Sequence, residues 1–173
     1  MKKEEVSQFY DQFSERQIKI GVNERLIFLF KKLKKLGFTK NSKILELGCV
    51  VGAFTYLLSK KVEKGYIEAV DLSGKSIENA QKNIKKNNVQ LFVGDVVHYQ
   101  PQESDFDFIT LLDVIEHIPI EEHFNLFKNI STYISEKSLL LINIPNPEYI
   151  KYLHQHQPES LQVIDQPIEL PTL

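Results

Sequence analysis

The first forty residues carry apolar positions at helical spacing. Phe9 and Phe13 lie among polar neighbours, and an apolar series from Leu26 to Leu36 is interleaved with lysines at positions 31, 32, 34 and 35. Gly37 predicts the end of this helical segment. We interpret the lysine cluster as the solvated face of an amphipathic helix rather than as a phosphate-binding patch.

From residue 43 onward, short apolar runs alternate with segments of helical spacing. The predicted strands are Lys43–Leu47, Tyr66–Val70, Val89–Val93, Phe106–Leu112 and Ser138–Ile144. The predicted helices are Ala53–Val62, Lys75–Lys86 with Ser73 as its N-cap, and a third from Pro119 to about Ser135 with Phe124, Phe127, Ile130 and Ile134 facing inward. This alternation predicts an α/β fold with a doubly wound, mostly parallel sheet, in which the fourth and fifth strands are buried.

The pattern weakens after residue 147. Residues 148–173 include Pro158, Pro167 and Pro171 and show no pair of alternating segments that would form a hairpin. We therefore expect one domain over residues 1–173, with a helical N-terminal part (1–40), a core (41–147) and an irregular, truncated tail (148–173). An uncovered sheet edge of this kind favours a homodimer or pairing with a partner protein.

Composition narrows the function classes. Hydrophobic residues make up 42% and charged residues 25% of the 173 residues, as in ordinary globular domains. A net charge of -2 argues against nucleic-acid and membrane partners, and no apolar run is long enough to span a bilayer. Because the N-terminus lacks an apolar signal core and Cys49 has no disulfide partner in the chain, we predict a cytoplasmic protein.

Acidic residues mark the ends of four predicted strands. Glu46 lies in the first strand, and Asp71, Asp95 and Asp113 follow the next three. The carboxyl ends of parallel strands form the ligand-binding edge of an open α/β sheet. The first strand also runs into a glycine-containing turn, Glu46-Leu47-Gly48-Cys49-Val50-Val51-Gly52, before a helix. This arrangement predicts a site for a nucleotide-like small molecule.

The glycine spacing separates ligand classes. Gly48 and Gly52 are not followed by the third glycine of a dinucleotide fingerprint, so a pyrophosphate ligand is disfavoured, and the chain has no phosphate loop of an ATPase. Asp71 lies nineteen residues after Gly52, a spacing typical of a carboxylate that accepts hydrogen bonds from a ribose diol. The alternative is that Asp71 only stabilises the start of the next helix.

In this order, the motifs resemble those of class I S-adenosylmethionine-dependent methyltransferases of the small-molecule type, including ubiquinone-pathway O-methyltransferases. The resemblance covers roughly residues 40–147 and implies a Rossmann-like fold, with S-adenosyl-L-methionine as cofactor and S-adenosyl-L-homocysteine as product. It implies that the cofactor is bound by Glu46, Gly48, Cys49, Gly52, Asp71, Leu72, Asp95, Val96 and Asp113.

The reaction implied by the resemblance is methyl transfer to a small polar acceptor at an oxygen atom, such as a sugar or a related metabolite. His117 is our candidate general base, with Glu116 beside it, because histidine changes charge near neutral pH. The alternative is that both residues only shape the loop after the fourth strand. Tyr149, Tyr152, His154 and His156 suggest an acceptor pocket that can hydrogen-bond hydroxyl groups, and the alternative is a surface segment with ordinary aromatic packing.

Two further functions stay open. The first is a metal-assisted RNA 2′-O-methyltransferase, because Asp113, Glu116 and His117 resemble the metal cluster of small-RNA 2′-O-methyltransferases. Such a cluster would also need His154 or His156. We do not favour a divalent metal and assign no metal ligand. The second is a noncatalytic cofactor-binding domain, because Val50 stands where the family has a glycine. We expect the Val50 side chain to weaken cofactor binding. The family's sheet has seven strands, whereas we find five.

Overall fold

The five strands form one parallel sheet. The computed structural model describes residues 17–169, and the predicted helical residues Phe9 and Phe13 lie outside this range. The strands are β1 (Lys43–Leu47), β2 (Tyr66–Asp71), β3 (Val89–Val93), β4 (Phe108–Leu112) and β5 (Leu139–Asn143), and their spatial order is β3-β2-β1-β4-β5. Strand order therefore changes direction between β1 and β4, which is where such sheets open a ligand crevice. The predicted α/β, Rossmann-like fold is confirmed.

From residue 24 onward, the helices are α1 (Glu24–Lys35), α2 (Ala53–Lys61), α3 (Gly74–Asn83), α4 (Ile120–Ile130) and α5 (Pro147–His156), with short 3-10 turns at Ile115–His117 and Pro158–Ser160. Residues 17–20 are also helical. The predicted N-cap is confirmed, since the Ser73 hydroxyl accepts a hydrogen bond from the Ser76 N–H at 3.0 Å. Helix α1 ends at Lys35, and Gly37 follows with φ of 99°. The four lysines of the predicted solvated face are exposed.

Apolar side chains pack on both faces of the sheet. Leu45 and Leu47 of β1 point to a cluster that includes Leu126 and Ile130 of α4. Ile44, the residue before Leu45, belongs to a cluster on the opposite face with side chains of α1 and α2. Because both faces of β1 are covered, its apolar side chains occur on both faces rather than on one alone. Full burial of each such side chain contributes roughly 1.5–3 kcal/mol.

Helix α4 differs from its prediction in length and in its buried face. It ends at Ile130, where the Ser131 hydroxyl donates to the Lys128 carbonyl and the next turn leaves the helix. Phe124 is 73% exposed and Ile134 is 40% exposed, so their predicted inward orientation is wrong. The buried face consists of His123, Leu126 and Ile130, so the prediction for Ile130 is confirmed, and Phe127 packs partly buried against the same cluster.

Strand β5 is an edge strand, not the buried strand that we predicted. Within residues 17–169 it pairs with β4 alone. Leu139 is 41% and Leu140 is 38% exposed. The apolar sequence of this strand indicated burial on both faces, but only its C-terminal half is partly covered.

The tail is not irregular throughout. Residues Pro147–His156 form α5, in which Pro147 occupies the first turn and the Asn146 side chain accepts a hydrogen bond from the Glu148 N–H at 2.9 Å. A proline in the first turn favours the start of a helix. Ile168 is buried against the core beyond this helix. Among the described residues, no helix is both long and apolar enough to cross a membrane.

Candidate functional site

A cavity of about 670 Å³ opens at the carboxyl ends of the strands, where strand order changes. The cavity is lined by all of the predicted site residues except Gly52: Glu46, Gly48, Cys49, Asp71, Leu72, Asp95, Val96, Asp113, Glu116 and His117. Residues that are separated by up to 71 positions therefore meet in one place, because the parallel strands end at one edge.

Gly52 serves helix packing rather than the cavity lining. Its φ is 76°, and a Cβ atom at this position would lie 2.8 Å from the Cβ of Ala80 in α3. Glycine is therefore needed for the close approach of α2 to α3. Gly52 is not among the residues that line the cavity, and its contact with the cofactor stays a prediction.

Gly48 sets the path of the loop after β1. Its φ is 80°, and a Cβ atom here would collide with the side chain of Val114. The N–H groups of Gly48 and Cys49 both donate to the carbonyl of Val70, at 2.8 and 3.0 Å. The loop is thereby tied to the end of β2, and its backbone forms one wall of the cavity.

Val50 occupies a left-handed conformation with φ of 50°, which is strained for a β-branched residue. Its N–H donates to Oδ2 of Asp71 at 2.7 Å, and Oδ1 of Asp71 accepts from the Ser73 N–H at 2.9 Å. Asp71 thus connects the loop after β1 to the start of α3. A carboxylate has about four acceptor sites, so these bonds are compatible with further hydrogen bonds to a ligand.

Glu46 is a buried acid at the base of the cavity. It is 3% exposed, and Oε2 accepts a hydrogen bond from the Thr55 hydroxyl at 2.7 Å. Burial raises the pKa of Glu46 to about 8, against the effect of the Thr55 bond and with a smaller contribution from the charge of Asp71. A carboxyl group that keeps its proton near neutral pH can donate as well as accept a hydrogen bond.

Asp113 connects three elements at the end of β4. Its N–H donates to the Asn143 carbonyl at 2.8 Å, and the Asn143 side-chain amide donates to Oδ1 at 2.6 Å. Oδ2 forms an ion pair with Arg25 of α1. Arg25 lines the cavity and ties α1 to its rim. The sequence analysis missed Arg25, because no motif indicates which residue of α1 reaches β4.

Glu116 lies in the 3-10 turn after β4 and is 1% exposed. Burial raises its pKa to about 8, and the negative charges of Asp113 and Asp165 act in the same direction. Neither carboxylate oxygen accepts a hydrogen bond from another residue. Oε1 lies 3.8 Å from Nε2 of His117. Glu116 is therefore a buried acid beside the candidate base.

The ring of His117 is held by the tail. Nδ1 lies 2.6 Å from the carbonyl oxygen of Ile164 and 3.3 Å from Oδ1 of Asp165. Gln166 also docks the tail onto this turn, since its backbone N–H donates to the Glu116 carbonyl at 3.0 Å. Gln162, Ile164 and Asp165 line the cavity. Sequence analysis missed them because the tail shows no periodic pattern or motif.

The predicted acceptor residues are only partly brought together. Tyr149 lines the cavity, whereas Tyr152, His154 and His156 do not. The ring of Tyr152 stacks on the ring of Tyr149, with the two ring centroids 6.4 Å apart. Nε2 of His154 lies 2.6 Å from the Asp165 carbonyl. Across residues 17–169, no three side chains of the metal-binding types are arranged to hold a metal ion.

Comparison with known proteins gives one family. The model of a family described as a methyltransferase domain matches residues 44–137. A ribosomal protein L11 methyltransferase from Thermotoga neapolitana is 30% identical over 118 residues, which is 68% of this chain and 40% of that protein. A malonyl-[acyl-carrier protein] O-methyltransferase from Halalkalibacterium halodurans is 27% identical, over 91% of this chain and 59% of that protein.

A solved structure has the same fold. It is an S-adenosylmethionine-dependent methyltransferase from Clostridium acetobutylicum, with a TM-score of 0.66 and 21% sequence identity over 83% of this chain and 61% of that chain. The chain thus spans less than two thirds of the length of each of these proteins.

Proposed function

The chain belongs to the methyltransferase domain family, and we propose that it uses S-adenosyl-L-methionine to methylate a small polar acceptor at an oxygen atom. The observation that carries this proposal is the cavity, which collects the acidic residues at the ends of β1, β2, β3 and β4 beside the glycine-containing loop. The two relatives act on different acceptors by name, so the acceptor is argued from the residues of the site.

The residues on the β1–β3 side fit the cofactor. The chemistry required is hydrogen bonding to a ribose, an adenine amino group and an amino-acid group. Asp71 and Asp95 are acceptors for such hydroxyl and amino donors, and Glu46 both accepts and donates in its protonated form. The turn at Gly48 brings the backbone to the cavity wall, where a side chain would collide with Val114.

When bound, S-adenosyl-L-methionine supplies a methyl group on a sulfonium, which is electrophilic without further activation. The protein then has to hold the acceptor in line with that group and take up a proton, and positioning accounts for much of the acceleration in such reactions. We assign proton uptake to Nε2 of His117, because Nδ1 faces the carbonyl of Ile164. Glu116 lies next to this nitrogen and holds a polar group of the acceptor.

Calorimetry with S-adenosyl-L-homocysteine, together with mass spectrometry of small molecules released from the purified protein, tests the proposal. We expect saturable binding and a rise in the melting temperature at excess ligand. Absence of both heat and thermal stabilisation would contradict cofactor binding. Methylated products are then sought by mass spectrometry after incubation with S-adenosyl-L-methionine and hydroxyl-containing metabolites.

A noncatalytic cofactor-binding domain is the second candidate, and the strained Val50 beside the cavity favours it. Methyl transfer to any acceptor would exclude it. The RNA 2′-O-methyltransferase alternative has less support, because Arg25 is the only lysine or arginine among the described residues that line the cavity.

The single-domain division into 1–40, 41–147 and 148–173 and the cytoplasmic location stay predictions. We also propose that the exposed edge of β5 pairs with a second copy or a partner protein. Size-exclusion chromatography that gives only a monomer at high protein concentration would argue against self-pairing.

A further inference from the structure

The cavity has two halves, which are separated by the change in strand order. Glu46, Asp71 and Asp95 belong to the β1–β3 half, to which the proposed function assigns the cofactor. The other half is bordered by the end of β4, by α1, by the start of α4 and by the tail. On the proposed function, this second half receives the acceptor.

Carboxylates dominate the acceptor half. Its lining includes Asp113, Glu116, Glu122 and Asp165. Arg25 is the one lysine or arginine of the described chain in this lining, and it is paired with Oδ2 of Asp113. Arg25 balances Asp113, and burial raises the pKa of Glu116 to about 8. Glu122 and Asp165 therefore supply the remaining negative charge. An anionic acceptor would meet these two like charges in a partly enclosed space. Such an arrangement raises the local concentration of cations and lowers that of anions.

Glu116 adds a requirement for a hydrogen-bond partner, such as a hydroxyl or amine, that can accept from the protonated carboxyl and donate to its other oxygen. Its carboxyl group is 1% exposed and lines the cavity, and neither oxygen accepts a hydrogen bond from another residue. Buried polar atoms normally have a partner, because leaving one unpaired is unfavourable. A hydroxyl or amine of the ligand supplies that partner. Apolar side chains of Val114, Ile118 and Ile150 on the same half suit an apolar body.

We propose that the acceptor is an uncharged or cationic small molecule with a hydroxyl or amine donor that faces Glu116, and that molecules with a carboxylate or phosphate near this point are rejected. This inference rests on the proposed function for the identity of the reaction. The charge preference itself is a property of the cavity and can be measured without the cofactor.

The decisive experiment measures the local potential with three nitroxides of similar shape. The cationic 4-amino-TEMPO, the neutral 4-hydroxy-TEMPO and the anionic 4-carboxy-TEMPO are added separately to ¹⁵N-labelled protein, and the relaxation enhancement of the Glu116, His117 and Asp165 amide protons is recorded. We expect the relaxation enhancement caused by the cationic nitroxide to exceed that caused by the anionic one by at least about threefold at these amides. At Lys31, on the basic surface of α1, the order should reverse. Equal or greater enhancement by the anion at the cavity would overturn the proposal.

Two variants locate the source of the preference. Glu122 lines the cavity, whereas its neighbour Glu121 is exposed and does not. Glu122→Gln should reduce the ratio of the relaxation enhancement by the cationic nitroxide to that by the anionic nitroxide at the cavity amides. Glu121→Gln should leave this ratio unchanged. An equal effect of the two variants would show that the overall charge of the protein, not the cavity, sets the ratio, and the proposal would fail.

A matched series of phenols tests the consequence for ligands. Tyrosol is neutral, tyramine is cationic and 4-hydroxyphenylacetate is anionic, and all three present the same hydroxyphenyl group. With the protein saturated by S-adenosyl-L-homocysteine, ligand-observed NMR should give the anion at least about tenfold weaker binding than the other two. Equal or tighter binding of the anion contradicts the proposal. Failure of S-adenosyl-L-homocysteine to bind, with the nitroxide order preserved, would instead reject the proposed function alone.

Discussion

The Nδ1 atom of His117 lies 2.6 Å from the carbonyl oxygen of Ile164. A carbonyl only accepts hydrogen bonds, so this contact places a proton on Nδ1 and leaves Nε2 as the proton-accepting nitrogen of the neutral ring. Oδ1 of Asp165 lies 3.3 Å from the same Nδ1, and Oδ2 accepts from the Gln162 N–H at 2.8 Å. Asp165 therefore holds the turn that contains Ile164 and acts as a positioning residue for His117.

The tautomer of His117 is the first prediction. Long-range ¹H–¹⁵N spectra of the histidine rings should show His117 protonated on Nδ1 at high pH. Asp165→Ala should shift the ring toward a mixture of tautomers, because the turn that carries the Ile164 carbonyl loses its hydrogen bond to Gln162. Glu159→Gln, an exposed change in the same tail, is the control. Protonation on Nε2 in the unaltered protein, or an unchanged ring in Asp165→Ala, would contradict this role.

Gly48→Ala should destabilise the protein. The new Cβ atom would collide with Val114, and alanine is strained at φ of 80°. We expect a loss of ~1–3 kcal/mol in the free energy of unfolding, measured in urea. Gly74→Ala is the matched control, because Gly74 begins α3 and has nothing within 4 Å of a built Cβ. Gly74→Ala should be neutral or slightly stabilising. Equal losses in the two variants would disprove the steric explanation.

Val50→Gly should strengthen the binding of S-adenosyl-L-homocysteine. The substitution relieves the strain at φ of 50° and removes a branched side chain from the cavity wall. Val50→Ala separates the two effects, because it shortens the side chain but keeps the left-handed strain. We expect the affinity to increase in the order valine, alanine, glycine by calorimetry. Weaker binding by Val50→Gly would mean that the valine side chain contributes favourable contacts to the ligand.

Stability should fall as pH rises from about 5 to about 8. Glu46 and Glu116 have pKa values of about 8 in the folded protein, against 4.5 in the unfolded chain. In this window the unfolded chain has released protons that the folded protein still holds, so rising pH favours unfolding by up to about 1.4 kcal/mol per pH unit for each group. Above about pH 8 the contribution levels off.

Urea unfolding at pH 5.5, 6.5 and 7.5 measures this slope. Glu46→Gln and Glu116→Gln should each flatten it, whereas Glu121→Gln, at an exposed position, should not. A slope that is the same in all four proteins would show that neither buried acid retains its proton on folding.

Local pattern predicted the parts of the site that lie within or directly after a strand. Asp71 and Asp113 follow apolar runs, and parallel strands bring such positions to one edge without further information. Arg25 and Asp165 were missed because α1 and the tail reach the cavity through tertiary packing. The inward face of α4 was predicted from its phenylalanines, but His123 lies on the buried face because its Nε2 lies 3.0 Å from the carbonyl oxygens of Ile115 and Ile118.

Asp71→Asn should weaken S-adenosyl-L-homocysteine binding at least about tenfold, or ~1.4 kcal/mol. The carboxylate accepts from Val50 N–H through Oδ2 and from Ser73 N–H through Oδ1. An asparagine side chain has one oxygen, so one of these two N–H groups would face the amide NH₂. The connection between the loop after β1 and the start of α3 would then lose a hydrogen bond.

The matched control is Asp107→Asn, since Asp107 Oδ2 accepts from Lys43 N–H at 2.8 Å at the opposite ends of the strands. Asp107→Asn can keep its one backbone contact through the remaining oxygen and should change stability little, whereas Asp71→Asn loses one of two and should lose about 1 kcal/mol. Because only Asp71 borders the cavity, Asp107→Asn should keep its affinity, measured by calorimetry on both proteins in the same buffer. Equal affinities in the two variants would show that Asp71 stabilises the start of α3 without contacting the ligand.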